Sequence, residues 1–69
     1  MTKISKKLGQ NIKRIREGKG MSQGDISRAL NMDRGYISGV ENGYRNPTIE
    51  TLDKIASALN VGVDDLLKN

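Results

Sequence analysis

Apolar residues recur along this chain at helical spacing. Ile4, Leu8, Ile12 and Ile15 lie four, four and three residues apart, one stripe of a helix over about residues 3–17, and lysines and arginines fill its other faces. Gly18 and Gly20, on either side of Lys19, predict its end. A second helix is predicted to open at Ser22, where Asp25, three residues on, makes a capping-box pattern with Asp in place of the usual Glu. Ile26, Ala29 and Leu30 are expected to face inward, and Asn31, which tolerates a left-handed backbone, to end the helix. Asp33 is the expected N-cap of a third helix over residues 34–41, with Ile37 and Val40 inward and Asn42 and Gly43 closing it. Residues 44–47 read as a loop. Thr48 is the expected cap of a fourth helix, whose stripe is Ile49, Leu52, Ile55, Ala56 and Leu59. Asn60, Val61 and Gly62 break it, and a short helix over 63–67 starts with Asp64 and Asp65 at the positive end of its dipole. No strand, repeat, linker or low-complexity tract is evident. The pattern predicts an all-α fold, five short helices around one core, as a single domain over residues 1–69.

Composition narrows the chemistry. A chain of 69 residues buries only about 60% of its unfolded surface, so self-association is expected to support it. It contains no cysteine and no histidine. Disulfides, the usual zinc-ligand sets and the common activated nucleophiles are therefore missing. Asp64 and Asp65 are adjacent carboxylates at a helix start, and the helix dipole accounts for them. No enzyme activity, metal, cofactor or small-molecule ligand is expected. No apolar run is long enough for a membrane span and no secretory segment opens the chain, so a soluble cytoplasmic protein is expected.

Charge divides the chain in two. The net charge is +4; residues 1–34 hold nine Lys/Arg against three Asp/Glu, a net of +6, and residues 35–69 hold three against five, a net of −2. One basic half suits a polyanionic partner, although a merely solvated surface has the same charge.

Residues 23–42 give the sharpest signal. Counting from Gln23 as position one, apolar groups fall at positions 4 (Ile26), 8 (Leu30), 10 (Met32), 15 (Ile37) and 18 (Val40), with small Ser27 at position 5 and Asn31 at the turn. A tight two-helix corner needs this set: a small residue for close approach, a turn residue that accepts positive φ, and apolar groups that fix the angle. The stretch MSQGDISRALNMDRGYISGVENG, residues 21–43, resembles the Cro/cI-type (XRE) helix-turn-helix family, and RNPTIETLDKIASALNV, residues 45–61, is similar to that family's fourth helix. The likeness covers nearly the whole chain. Residues 33–41 together with Arg45 and Asn46 resemble, within that family, the controller proteins of restriction–modification systems.

The resemblance implies a lambda-repressor-like domain whose third helix enters the major groove of double-stranded DNA while the start of the second rests on the phosphate backbone. It also implies a symmetric homodimer, joined through the carboxy-terminal helices, on a two-fold related operator. Arg34, at the start of the recognition helix, is placed to grip guanine O6 and N7, or is a surface arginine that merely touches phosphate; Ser38, one turn on, is placed to reach a base edge or the backbone. Gly35 and Gly39 point the same way. They suit close approach of the helix backbone to bases, or are tolerated weaknesses in the helix. Tyr36 either contacts DNA or packs over the second helix. Gln23 is placed to bond a phosphate at its helix N-terminus. Arg45 and Asn46 match the family's DNA-contacting loop; Asn42 and Tyr44 are weaker candidates, and Lys13, Arg14 and Arg16 add general attraction or are simply solvated. Glu41, which phosphate would repel, is expected to act structurally or on another protein, such as RNA polymerase during activation. Val61, Val63, Leu66 and Leu67 exceed the needs of so short a helix, and some are expected to pair with a second copy.

The function expected is that of a dimeric transcriptional regulator. Its rival is a protein-binding helix-turn-helix module of the antitoxin or adaptor kind. The basic first helix and Arg34 favour DNA, and a recognition helix fits the B-form major groove better than A-form RNA.

Overall fold

The computed structural model describes residues 3–68, and side chains from Ser5 onward. The predicted inward Ile4 therefore lies outside the described side chains. Five helices follow in order: α1 (Lys3–Gly18), α2 (Gln23–Leu30), α3 (Arg34–Glu41), α4 (Ile49–Leu59) and α5 (Val63–Leu67). Helix α1 packs on α3 and α5, α2 on α3 and α4, and α4 on α5, in a body of 27 × 21 × 21 Å.

The helix ends show why the chain breaks where it does. Ser22 Oγ accepts from the Asp25 amide at 3.0 Å while the Ser22 amide donates to Asp25 Oδ2 at 2.8 Å, completing the capping box. Thr48 caps α4 in the same sense through the Thr51 amide. Helices α1 to α4 all close with one turn geometry. After α3, for example, the Tyr44 amide donates to the Gly39 carbonyl at 2.8 Å and the Gly43 amide to Val40 at 3.1 Å. The left-handed residue that makes this turn is Gly20, Asn31, Gly43 or Asn60.

Leu8, Ile12, Ile26, Ile37, Val40, Leu52, Ile55, Ala56, Leu59 and Leu66 form the core. Three expectations need correction. Ile49 is 74% exposed, because it sits on the first turn of α4 beyond the reach of any covering element. Ala29 is exposed, and the inward face of α2 narrows to Ile26 with half-buried Leu30. Asp33 occupies the N-cap position of α3, yet its side chain makes no cap hydrogen bond; its carboxylate lies beside Gly35, and its carbonyl accepts from the Tyr36 and Ile37 amides.

Candidate nucleic-acid interface

Helix α3 has a buried back and an open front. Ile37 and Val40 anchor the back in the core. Close approach to α1 is made possible by Gly9: a Cβ there would stand 2.4 Å from the carbonyl oxygens of both Val40 and Glu41. Beside this seam Arg16 grips Glu41 with both arms of its fork, Nε to Oε2 at 2.7 Å and Nη2 to Oε1 at 3.0 Å. Arg16 Nη1 also donates to the Met21 carbonyl at 2.8 Å, and Gln23 Nε2 donates to Glu41 Oε1 at 3.0 Å. The bond to Glu41 holds the Arg16 guanidinium above its usual pKa despite the opposing effect of burial. One network thus ties the end of α1, the loop after it and the start of α2 to the end of α3.

This network revises two expectations. Arg16 is buried and committed to Glu41, so it is not part of an exposed basic face. The Glu41 side chain is 1% exposed and therefore offers no surface to another protein. Its role is structural, one of the two roles foreseen for it. Because Glu41 is the only acidic residue within α3, turning it inward leaves the front of the helix without a carboxylate of its own.

On the front, Arg34 and Gly35 are exposed, while Tyr36, Ser38 and Gly39 are half-buried. Among the described residues, no hydrogen bond or ion pair holds the Arg34 guanidinium. Arg45 reaches back from the following loop and sets its guanidinium carbon 5.9 Å from the centre of the Tyr36 ring. That ring also packs against the core, so Tyr36 belongs to both surfaces. Asn42 turns its amide onto the Ser38 carbonyl at 2.9 Å and is occupied in finishing the helix. Asn46 accepts a hydrogen bond from Ser5 Oγ, which pins the loop after α3 to the start of α1. Gln23 stands at the first position of α2, its amide oriented by Glu41. Lys13, Arg14 and Tyr44 are exposed.

At the other end of the protein, Val61 and Val63 are half-buried against the core and Leu67 is 51% exposed. Leu66 is fully buried, so it serves the protomer's own core and is not available to a second copy as foreseen. Sequence reasoning also missed Asn11. Its amide donates to the carbonyls of Leu66 at 2.9 Å and Lys68 at 2.6 Å, which fastens the end of α5 to α1. Among the described residues, no helix is long and apolar enough to cross a membrane.

The corner of α2 and α3, with its left-handed Asn31 turn, buried Ile26, Ile37 and Val40 and outward Arg34, defines a helix-turn-helix domain. The chain belongs to the helix-turn-helix family, whose model matches residues 12–66. It is 40% identical over 61 residues to control protein C.BamHI of Bacillus amyloliquefaciens, covering 87% of this chain and 75% of that protein. Control protein C.MunI of a Mycoplasma species is 31% identical over 70 residues, covering all of this chain and 95% of the relative. Among solved structures, the restriction-modification controller protein C.AhdI of Aeromonas hydrophila superposes with a TM-score of 0.85 at 36% identity, over 88% of this chain and 92% of that one. The controller protein C.Esp1396I, solved as a tetramer on its natural 35 base-pair operator, superposes with a TM-score of 0.83 at 37% identity, over 99% of this chain and all of the other.

Proposed function

We propose that this protein is a cytoplasmic, dimeric transcriptional regulator that binds a two-fold related operator in double-stranded DNA by laying α3 in the major groove. The observation that carries the proposal is the polarity of α3: its one carboxylate is buried against Arg16, and its front offers an unengaged Arg34 with Arg45 alongside. A surface built in this way attracts a polyanion, with the exposed Asp33 carboxylate at the N-cap the one negative charge beside it.

In this arrangement Arg34 reads a guanine edge, and Gly35, Ser38 and Gly39 border the groove. Gln23 and the N-terminus of α2 meet a phosphate, and Arg45 and Asn46 approach the strand beyond. Half-buried Val61 and Val63 and exposed Leu67 form the apolar patch through which two copies join. The likeness to control proteins extends the proposal to the regulation of restriction–modification genes, and occlusion of RNA polymerase is the simplest route to repression.

The test is selection of binding sites from a random duplex library, with Arg34→Ala in parallel. An enriched motif with two-fold symmetry, blurred at one base pair per half-site in the variant, is the expected result. Salt-sensitive bulk binding with no enriched motif would overturn the proposal and reassign the outer face of the corner to a protein partner.

A further inference from the structure

Gly39 lies in the interior of α3, where glycine weakens a helix relative to alanine. The space a side chain would fill is not open. A Cβ on Gly39 would stand 2.7 Å from Cγ of Arg45 and 3.6 Å from its Nε, closer to Cγ than side chains approach one another. The same residue fixes the backbone of Arg45: the Gly39 carbonyl accepts from both the Tyr44 amide at 2.8 Å and the Arg45 amide at 3.3 Å. The left-handed turn at Gly43 folds the chain back to make those bonds. With the Arg45 backbone held in this way, its stem crosses α3 over Gly39, and its guanidinium arrives over the Tyr36 ring.

We propose that Gly39 is a positioning residue: the missing side chain is a slot for the Arg45 stem, and the slot delivers the guanidinium to Tyr36 as a preset contact for DNA beside Arg34. The inference rests on the DNA-binding reading of α3 and deepens it. It also gives Gly39 a different task from close approach of its own backbone to the bases, since Arg45 stands in front of that backbone. A Cβ at position 39 leaves the carbonyl bonds intact, so the Arg45 backbone stays and only its side-chain torsions give way. Rotation of those torsions carries the guanidinium off the ring. The helix itself is not harmed, because alanine is the better helix former.

The test compares wild type, Gly39→Ala, Arg45→Ala and the double variant. Thermal melting of Gly39→Ala is expected at or above the wild-type temperature, which separates positioning from folding. In the free protein, the Tyr36 ring-proton resonances are expected to move in Gly39→Ala as they do in Arg45→Ala. Affinity for the duplex enriched by wild type is expected to fall about two- to fivefold in Gly39→Ala. No further loss is expected when that change is added to Arg45→Ala. Unmoved Tyr36 resonances in Gly39→Ala would overturn the inference. So would an equal loss of affinity with and without Arg45, which would mean that the added methyl meets DNA directly. If wild type enriches no duplex, the DNA-binding reading fails, and the ring resonances alone decide whether Gly39 positions Arg45.

Discussion

The two sides of α3 are made in opposite ways. Its back is specified by contacts too close or too well paired to vary: Gly9 against two carbonyl oxygens, and Arg16 forked onto a Glu41 that water does not reach. Its front is nearly bare, with two glycines, one unengaged arginine and a second arginine folded back from a loop. A reading helix must be held rigidly from behind so that its front can be chosen for a ligand instead of for stability. If this division is real, substitutions behind α3 change folding and substitutions in front change binding.

The strongest way to break the comparison is Glu41→Ala. It takes the fork's acceptor from the buried Arg16 guanidinium, which keeps only the Met21 carbonyl and the more distant exposed Glu17, and it removes the acceptor of Gln23. Losing one partner of a buried pair typically costs about 3–5 kcal/mol. Urea denaturation is expected to show most of the stability of so small a domain gone. Replacing both partners, Arg16→Met with Glu41→Leu, is expected to recover much of it, because no uncompensated charge is left. A melt of Glu41→Ala indistinguishable from wild type would mean that the back of α3 is not held by this network. Gly9→Ala ranks next. Helix propensity alone favours alanine by about 1 kcal/mol. Here the methyl would enter the van der Waals shells of two backbone carbonyls, neither of which is a flexible side-chain end. Overpacking of this kind costs about 1–3 kcal/mol, so a net loss of stability is expected by the same measurement. Gain instead of loss would show the α1–α3 seam to be loose.

The front of the site was far more legible in the sequence than the back. Position within the corner was enough to turn Arg34 outward and Ile37 and Val40 inward, because helical period and turn chemistry are local. Asn31 and the Ser22–Asp25 box were readable for the same reason. The partners of Gly9, Asn11 and Arg16 were not, since each lies far along the chain. Arg16 meets Glu41 across 25 residues and Asn11 meets Leu66 across 55. Helical period does set Arg16 on the inward row, four residues after Ile12 and eight after Leu8, but it does not name the distant carboxylate that pairs with it. The misplaced apolar residues have a related cause. A 3.6-residue stripe gives the direction a helix face points but not where its covering elements end, which leaves Ile49 in solvent and takes Leu66 fully into the core.

In front of α3 the comparison predicts the reverse pattern. Arg34→Ala removes no hydrogen bond or ion pair among the described residues and is expected to leave stability within about 0.5 kcal/mol of wild type. Operator affinity is expected to fall by about 1–3 kcal/mol, with relaxed preference at one base pair, when measured by titration of single-substituted duplexes. Uniform weakening across all sequences would demote Arg34 to a phosphate contact, and a large loss of stability would erase the distinction between the two sides.

The smallest effect concerns the cap at the N-terminus of α2, the helix that begins at Gln23. Hydrogen bonds from Ser22, the backbone amide foremost, and then Arg28 hold the Asp25 carboxyl below its ordinary pKa. A depressed folded-state value means that the stability this group adds is complete above the ordinary carboxylate range and is lost as pH falls through the lower folded value. Asp25→Asn keeps an acceptor for the Ser22 amide and removes only the charge. Its melting temperature is therefore expected to lie slightly below wild type at neutral pH, with the gap closing as the two are compared down to about pH 2. Asp65, lowered by Lys68 and the Gly62 amide, titrates in the same direction but is common to both proteins and cancels. A gap that persists unchanged into acid would show that the cap acts through hydrogen-bond geometry and not through the charge of Asp25.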